Sequence, residues 1–274
     1  MRVAAVQFAP AFGKKSRNIA VVRRLLSQTE ADLFVLPELC TTGYQFRDKD
    51  ELLRYAEGLD GPTVCEFVAL ASEVYATIVF GFAELRGGEV YNSAAVVTPN
   101  GLVGVYRKIH LFGREKELFV AGEEEPPVSN IDGLRLGVMI CYDWAFCEVG
   151  RVLMVKGAQV VAHPANLMLP FCQKAMPTRA LENRLFFVTA NRTGEEARVE
   201  PPCRFTGLSQ IVAPDGSILA AAGKTQTTVI TADIDPQIAD RKEIAEGVNL
   251  LEDRRPHLYR SLWGKRSSTE RPRS

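Results

Sequence analysis

Short apolar runs alternate along the chain with longer segments whose apolar residues recur at helical spacing. In the first part of the chain this pattern predicts strands at residues 3–9, 33–36 and 77–83 and helices at 16–28 and 63–75. The pattern resumes after residue 140, with helices at about 144–156 and 178–183 and strands at 159–162 and 185–190. Strands that alternate with helices in this way are typical of an α/β domain.

Two hairpins interrupt the alternation. One joins residues 90–97 to 102–106 through the sequence TPNG, and the other joins residues 208–212 to 217–221 through APDG. Proline and glycine at these positions are typical of turns between antiparallel strands. We therefore expect antiparallel pairs within the sheets, and the likeness of the two hairpins hints at two similar halves.

Size and composition favour one large domain. The chain has 274 residues, of which 46% are hydrophobic and 24% are charged, and these can bury one substantial core. We assign residues 1–259 to this domain and residues 260–274 to a basic C-terminal tail. A solvated tail is the simpler interpretation, and the alternative is that Leu262 and Trp263 dock the tail on a neighbouring subunit.

The charge pattern argues against two classes of partner. Lysine plus arginine equal aspartate plus glutamate at 33 each, and no long basic block interrupts the body of the chain. Neither nucleic acid nor a membrane surface is therefore indicated as a partner. Apolar runs stay well short of the roughly 18 residues that a membrane-spanning helix requires. We expect a soluble protein.

The cysteines and the N-terminus bear on the cellular compartment. A chain of this length does not need disulfide bonds for stability, although it has six cysteines. Gln7 and Pro10 interrupt the apolar residues at the N-terminus, so we interpret that segment as a buried strand and not as a signal peptide. A cytoplasmic location with reduced thiols is expected.

Three chemically reactive side chains each follow directly on an apolar, strand-like run. Glu38, Lys108 and Cys141 come at the ends of the runs LFVLP, VGVYR and LGVMI. In α/β sheets, ligands bind outside the carboxyl ends of strands, so these three side chains could converge on one site. Cys141 also precedes a helix-like stretch, whose free N–H groups would stabilise a thiolate or an oxyanion.

Each of the three side chains has a chemical role in such a site. A thiol that attacks an acyl carbon must lose its proton, which a carboxylate such as Glu38 can accept and later pass to a departing amine. The tetrahedral intermediate carries an oxyanion, which a cation and a backbone donor stabilise in a dry site. Lys108 and the N–H of Tyr142 would supply them.

Three sequence blocks carry a resemblance to a known family. They are PEL at residues 37–39, YRKIHLF at 106–112 and ICYD at 140–143, and HPAN at 163–166 follows in the same order. On these blocks the chain resembles the nitrilase superfamily of carbon–nitrogen hydrolases, over nearly all of its length up to about Asp235.

The resemblance implies a fold and a catalytic triad. The triad would be Glu-Lys-Cys, carried by the three residues named above, on an α/β four-layer α-β-β-α sandwich with two mixed sheets. Dimerisation would extend the sandwich to eight layers, so a homodimer or a higher homo-oligomer is expected. In the family a second glutamate follows the lysine and positions lysine and substrate. Glu115 matches that position best, with Glu117 and Glu123 as rivals.

The expected substrate is a small-molecule amide or nitrile. Thiol attack on an amide releases ammonia or an amine and leaves a thioester that water hydrolyses, whereas attack on a nitrile gives a thioimidate. Most branches of the family cleave amides or carbamoyl groups, so an amidase is the leading expectation and a nitrilase is the alternative. The resemblance implies no cofactor.

The residues after the cysteine bear on substrate charge. Family branches that accept a carboxylate resemble one another in an arginine shortly after the Cys-Tyr-Asp block, where this chain has Ala145. A substrate carboxylate would therefore lack a bidentate partner there. The expected pocket suits a small, neutral, partly apolar amide, to which Asn166 would offer polar contacts. The predicted substrate-binding residues are Tyr142, Trp144, Phe146, Asn166 and Phe171.

Other kinds of function fit the sequence less well. A metal site is not expected, because His110, His163 and His257 are far apart in sequence and no Cys-x-x-Cys pair occurs. A thiol redox protein would need a resolving cysteine, and Cys147 is expected to point elsewhere from its helix. An inactive binding or scaffold protein would usually have lost a triad member, and this chain keeps all three.

Overall fold

The computed structural model describes residues 1–262, which form two compact units, residues 1–241 and 242–262. The predicted tail lies almost wholly beyond these residues, so its docking through Trp263 falls outside the part that is described. The first unit ends at Arg241, before the boundary that we expected at residue 259. Within residues 1–262, no helix is long and apolar enough to cross a membrane.

Strands account for most of the regular structure. In chain order they are β1 Arg2–Gln7, β2 Leu33–Val35, β3 Thr77–Arg86, β4 Glu89–Thr98, β5 Gly101–Arg107, β6 Val128–Ile131, β7 Leu134–Val138, β8 Val160–Ala165, β9 Phe186–Asn191, β10 Glu195–Glu196, β11 Cys203–Arg204, β12 Gln210–Val212, β13 Ile218–Ala221, β14 Thr228–Asp233, β15 Glu243–Ala245 and β16 Val248–Asn249. The last two strands form a small antiparallel hairpin in the second unit.

The helices are fewer and mostly short. They are α1 Lys15–Ser27, α2 Lys49–Leu53, α3 Pro62–Val74, α4 Glu115–Leu118, α5 Cys147–Val155 and α6 Cys172–Asn183. A 3₁₀ turn at Cys141–Ala145 separates β7 from α5. The sequence predicted one continuous helix from residue 144 instead. The difference arises because Phe146 is extended, with φ −102° and ψ 106°, which no α-helix accommodates.

Two six-stranded mixed sheets repeat one design. The first has the order β14-β1-β2-β3-β4-β5, and the second, written from its opposite edge, has the order β6-β7-β8-β9-β12-β13. In each sheet three parallel strands are followed by an antiparallel hairpin, and one antiparallel strand closes the other edge. Both hairpins expected from the sequence are confirmed, and so is the hint of two similar halves.

The alternation of side chains along each strand explains how the layers pack. In β1, Val3 and Ala5 face the core shared by the two sheets, while Ala4 and Val6 face the core beneath α1 and α3. On the far side of the second sheet, α5 and α6 bury Leu153 and other apolar side chains. The result is the four-layer α-β-β-α sandwich.

Candidate active site

A buried lysine lies between two buried carboxylates. Lys108 follows β5 directly, Glu38 lies shortly after β2 and Glu115 begins α4. The Nζ of Lys108 donates to Oε1 of Glu38 at 2.7 Å and to Oε2 of Glu115 at 2.7 Å. None of the three residues is more than 3% exposed. Folding therefore brings together three of the four residues that the sequence assigned to catalysis.

The backbone at Glu38 depends on a glycine in the neighbouring strand. A Cβ atom at Gly81 of β3 would lie 2.6 Å from the Cα of Glu38 and from the nitrogen of Leu39. No real side chain tolerates such contacts, so only glycine lets the chain cross β3 here. The Cys40 N–H donates to the Gly81 carbonyl at 3.1 Å and fixes the crossing. Glu38 is thereby held over β3.

Burial and charge set the protonation of this cluster. Burial lowers the pKa of Lys108, but the charges of Glu115 and Glu38 outweigh it and hold the pKa well above its usual range. Burial raises the pKa of Glu38 above its ordinary value, and Lys108 opposes that rise. The lysine is therefore an ammonium ion, and the carboxyl group of Glu38 has an increased affinity for a proton.

One oxygen of Glu38 is fully engaged and the other is not. Oε1 accepts from Lys108 and, at 2.7 Å, from Nδ2 of Asn92. Oε2 is buried and has no hydrogen-bond partner within residues 1–262. A buried carboxylate oxygen without a partner is costly, and this oxygen is free to accept a proton or a hydrogen bond.

A tyrosine that the sequence did not single out completes the charged cluster. The hydroxyl of Tyr44 donates to Oε1 of Glu115 at 2.7 Å. The backbone N–H groups of Tyr44 and Gln45 donate to the carboxylate of Glu196, at 3.1 and 2.7 Å, and Glu196 pairs with the buried Arg192. No short motif marks Tyr44, because its position depends on a partner 152 residues away.

Cys141 lies on a strained backbone. It is the first residue of the 3₁₀ turn after β7, is 6% exposed and has φ +43°. A non-glycine residue in this left-handed region loses about 1–2 kcal/mol. The turn is held on one side by the Ile140 N–H, which donates to Oδ2 of Asp143 at 2.8 Å. Asp143 also accepts from the Tyr106 hydroxyl at 2.9 Å and contacts His110 at 2.8 Å.

His163 holds the other side of the turn. Its Nε2 lies 3.0 Å from the carbonyl oxygen of Cys141, and its Nδ1 lies 3.0 Å from Oγ1 of Thr189. Burial lowers the pKa of His163 to about 4. The ring is therefore neutral at physiological pH, and its Nε2 carries the hydrogen that the Cys141 carbonyl accepts. The turn that presents the thiol is therefore fixed by Asp143 and His163, neither of which the sequence assigned to catalysis or to substrate binding.

The charges of the lysine–carboxylate cluster affect the pKa of the thiol. Burial raises the pKa of Cys141 well above its usual range, Glu38 adds to the rise, and Lys108 opposes it. The backbone N–H of Asn166 also opposes the rise by hydrogen bonding. A thiol in this environment is protonated at rest and needs a base in order to react.

A cavity of about 40 Å³ adjoins the thiol. Of the predicted pocket residues, Tyr142, Trp144 and Asn166 line it, together with Cys141, Phe112 and residues 167–169. The other two predicted pocket residues lie elsewhere. Phe146 stacks on His110 with 3.6 Å between ring centroids, and Phe171 is 56% exposed at the start of α6. Phe146 is the extended residue between the 3₁₀ turn and α5, and Phe171 is the residue directly before α6.

Asn166 is an unusual member of this lining. The residue is 1% exposed, and both of its side-chain polar atoms are without hydrogen-bond partners among residues 1–262. A buried carboxamide in this state has the full capacity to donate to and accept from a ligand.

With respect to metals, the described residues contain no group of three His, Cys, Asp or Glu side chains that could hold an ion. All six cysteines are free.

The chain is similar to known proteins over nearly all of its length. The family model described as carbon-nitrogen hydrolase matches residues 2–242. The chain is 40% identical to a nitrilase of Pyrococcus abyssi, over 94% of this chain and 99% of that protein. It is 31% identical to a 2-oxoglutaramate amidase of Bacillus subtilis, over 94% of this chain and 98% of the relative.

A solved structure extends the likeness to three dimensions. It is a mutant of the amidase from Nesterenkonia sp. AN1 with covalent addition of the acetamide moiety of fluoroacetamide at its active-site cysteine. It superimposes with a TM-score of 0.79 at 25% identity and covers 95% of this chain and 96% of that chain. The protein described here belongs to the carbon–nitrogen hydrolase family, within the nitrilase superfamily, and is an enzyme of that kind.

Proposed function

We propose that this carbon–nitrogen hydrolase is an amidase that converts a small, neutral amide into a carboxylic acid and ammonia through a thioester on Cys141. The observation that carries the proposal is the buried ammonium of Lys108 between two carboxylates, beside a protonated thiol. A base, a cation and a nucleophile are the three groups that acyl transfer requires. The role of each residue follows from its contacts.

The first half of the reaction forms the thioester. Oε2 of Glu38 takes the thiol proton as the sulfur of Cys141 bonds to the amide carbon, and the C=O electron pair moves to oxygen. Lys108 and the N–H of Tyr142 stabilise that oxyanion. When the tetrahedral intermediate collapses, the C–N bond breaks and the nitrogen takes the proton from Glu38. Ammonia leaves, and Glu38 is again a carboxylate.

The second half reverses these roles with water. Glu38 removes a proton from a water molecule as its oxygen attacks the thioester carbon, and the same oxyanion contacts stabilise the second tetrahedral intermediate. The C–S bond then breaks, sulfur recovers the proton and the acid departs. Glu115 binds Lys108 throughout, so we assign it to positioning the ammonium group. It is held in turn by the hydroxyl of Tyr44.

Two features support a neutral amide as the substrate. Trp144, Leu167 and Met168 give the cavity apolar walls, and Asn166 offers a donor and an acceptor that match the NH₂ and C=O of a carboxamide. Position 145, at which an arginine would meet a carboxylate, is alanine. One relative is a 2-oxoglutaramate amidase. An amide that carries a carboxylate is therefore the substrate with which to challenge the proposal.

A nitrilase is the second candidate. The relative of Pyrococcus abyssi that is named a nitrilase favours it. Attack of the Cys141 thiol on a nitrile gives a thioimidate, which water converts to the acid and ammonia with the same groups. The difference lies in the delivery of protons to nitrogen, because a nitrile must gain hydrogens that an amide already has.

A homodimer is the oligomeric state that we propose. On α5 and α6, Val155 is 47% exposed and Leu181 is 48% exposed, and apolar side chains on neighbouring outer helices suit burial against a second copy of the chain. Light scattering after size exclusion tests this, with Leu181→Glu expected to give monomers.

The free cysteines are compatible with a reducing compartment, and we propose the cytoplasm as the location of the enzyme.

One experiment tests the activity. The enzyme is incubated with matched amides and nitriles of two to six carbons, followed by ammonia release and intact-mass measurement. We expect amides to be turned over faster and to leave an acyl mass on the wild type that is absent from Cys141→Ala. Turnover of nitriles alone would select the second candidate. A folded protein with neither turnover nor adduct would mark a binding protein that has lost its chemistry.

A further inference from the structure

A second cavity lies next to the one that adjoins the thiol. Its volume is about 250 Å³, roughly six times that of the 40 Å³ cavity. The two cavities share Phe112 and Met168 as lining residues, and the larger one also borders Tyr44 and Glu115. The smaller cavity has space for about three water molecules, which is the size of a carboxamide group and no more. Any longer substrate must therefore extend beyond it.

The lining of the larger cavity is chiefly apolar. Eight of its residues present hydrocarbon or thioether groups: Phe46, Phe112, Leu118, Phe119, Met168, Val199, Pro201 and Pro202. Arg114 is its one cation, and its guanidinium already donates to the carbonyl oxygen of Arg47 at 2.9 Å. Glu200 lines the same cavity and opposes the binding of an anion. Such a space favours a neutral hydrocarbon chain.

Phe112 and Met168, which line both cavities, form the wall between them. The side chain of Met168 is unbranched and adapts easily, and it is only half-buried, as is Phe112. The backbone before Met168 is fixed, because the Leu167 N–H donates to Asn191 at 2.8 Å and its carbonyl accepts from Thr206 at 2.8 Å. A rotamer change at Met168 would join the two spaces without any movement of the strand end.

We propose that the 250 Å³ cavity is the subsite for the acyl chain of the substrate, and that the substrates are unbranched aliphatic primary amides longer than propionamide. The inference rests on the proposed amidase function. The carboxamide would occupy the small cavity against Cys141 and Asn166, and the chain would pass Phe112 and Met168 into the larger one. Every buried methylene then contributes to transition-state binding.

Val199 is the position at which to fill this cavity. Its side chain lines the space, while its backbone N–H and carbonyl are bound by the side chain of Gln45 at 3.2 and 2.8 Å. Val199→Trp would therefore block the cavity and leave the backbone anchors in place. Val103→Trp on β5 is the matched control, because Val103 is 43% exposed and lines neither cavity.

The test compares kcat/KM for acetamide, butyramide and hexanamide in these proteins. In the wild type we expect hexanamide to exceed acetamide by at least tenfold. Val199→Trp should reduce that ratio by about tenfold, whereas Val103→Trp should leave the ratio unchanged. Should the tryptophan variant fail to fold, Val199→Phe provides a smaller block with the same expected direction.

Several outcomes would overturn the subsite while the amidase stands. They are equal turnover of acetamide and hexanamide by the wild type, and an equal loss for both in a folded Val199 variant. Faster turnover of the monoamide of adipic acid than of hexanamide would show instead that Arg114 binds a carboxylate. If no amide is turned over or forms an adduct at Cys141, it is the proposed function that fails. Binding of hexanamide to Cys141→Ala by calorimetry then decides the subsite alone, and no detectable heat rejects it.

Discussion

The two sides of the candidate site are held in different ways. On the charged side, Glu38, Lys108 and Glu115 come from the first half of the fold and are held by one another. On the thiol side, Cys141 comes from the second half and is held through backbone atoms, by Asp143 at the N–H of Ile140 and by His163 at the carbonyl of Cys141. Removing a member of the charged side should therefore unbalance charge, and removing a support of the thiol side should alter geometry.

The largest effect is expected from Lys108→Ala. This change leaves two buried carboxylates facing each other without a cation, so the free energy of unfolding should fall by about 3–5 kcal/mol. Turnover should fall by about 10³-fold or more, because the oxyanion loses its cation. Urea unfolding and amide hydrolysis measure the two effects, with the partly exposed Lys156→Ala as control. A variant of wild-type stability would show that the three groups do not depend on one another.

Glu38→Gln should separate activity from stability. Glutamine keeps an oxygen for Lys108 and Asn92, and Lys108 is still balanced by Glu115, so the free energy of unfolding should change by less than about 1 kcal/mol. Turnover should fall by about 10³-fold, because no carboxylate remains to take the thiol proton. Hydrolysis close to the wild-type rate would remove Glu38 from the role of base. The exposed Glu66→Gln serves as the control.

On the thiol side, His163 should make stability depend on pH. Its folded pKa of about 4 lies below the ordinary value of about 6.5, so the unfolded chain binds more protons between these limits. Stability is therefore greatest above pH 6.5 and should fall by about 3 kcal/mol as the pH drops to 4. The free energy of unfolding, measured by urea titration at each pH, should fall more steeply between pH 6.5 and 4 for the wild type than for His163→Gln. Parallel curves would contradict the assignment, and His257→Gln is the matched control.

Tyr44→Phe should give the smallest effect. Glu115 loses one hydrogen bond but keeps Lys108, so we expect kcat to fall by about three- to tenfold with little change in KM. Steady-state kinetics on one amide measures this, with Tyr75→Phe, which is 88% exposed, as control. A fall in kcat as large as that of Glu38→Gln would instead require Tyr44 to act in the chemistry itself.

The sequence predicted the charged side better than the thiol side. Glu38, Lys108 and Cys141 could be found because each follows an apolar strand, and ligands bind outside the carboxyl ends of strands. The repeat of one hairpin by the other likewise anticipated two equivalent sheets. Glu115 came from the family resemblance, and the structure places it on Lys108.

The residues that the sequence missed act through long-range or backbone contacts. His163 contacts a carbonyl 22 residues away, and Tyr44 reaches a carboxylate 71 residues away, so no local pattern reports either contact. Phe171 was predicted to line the pocket because it is aromatic, but hydrophobicity does not reveal which way a side chain faces, and Phe171 is 56% exposed. The sequence also did not predict the 3₁₀ turn at Cys141, because its strained backbone is held by hydrogen bonds that form only in the folded protein.

The face-to-face pairing of the two sheets has a consequence for how the enzyme would fail. The proposed nucleophile, Cys141, follows a strand of one sheet, and its proposed base and cation, Glu38 and Lys108, follow strands of the other. The proposed reaction therefore depends on how the two sheets are aligned. A displacement of about 1 Å between the two sheets would lower the rate of hydrolysis by about 10²-fold before any strand unfolded. Loss of hydrolysis on warming should therefore precede loss of ellipticity.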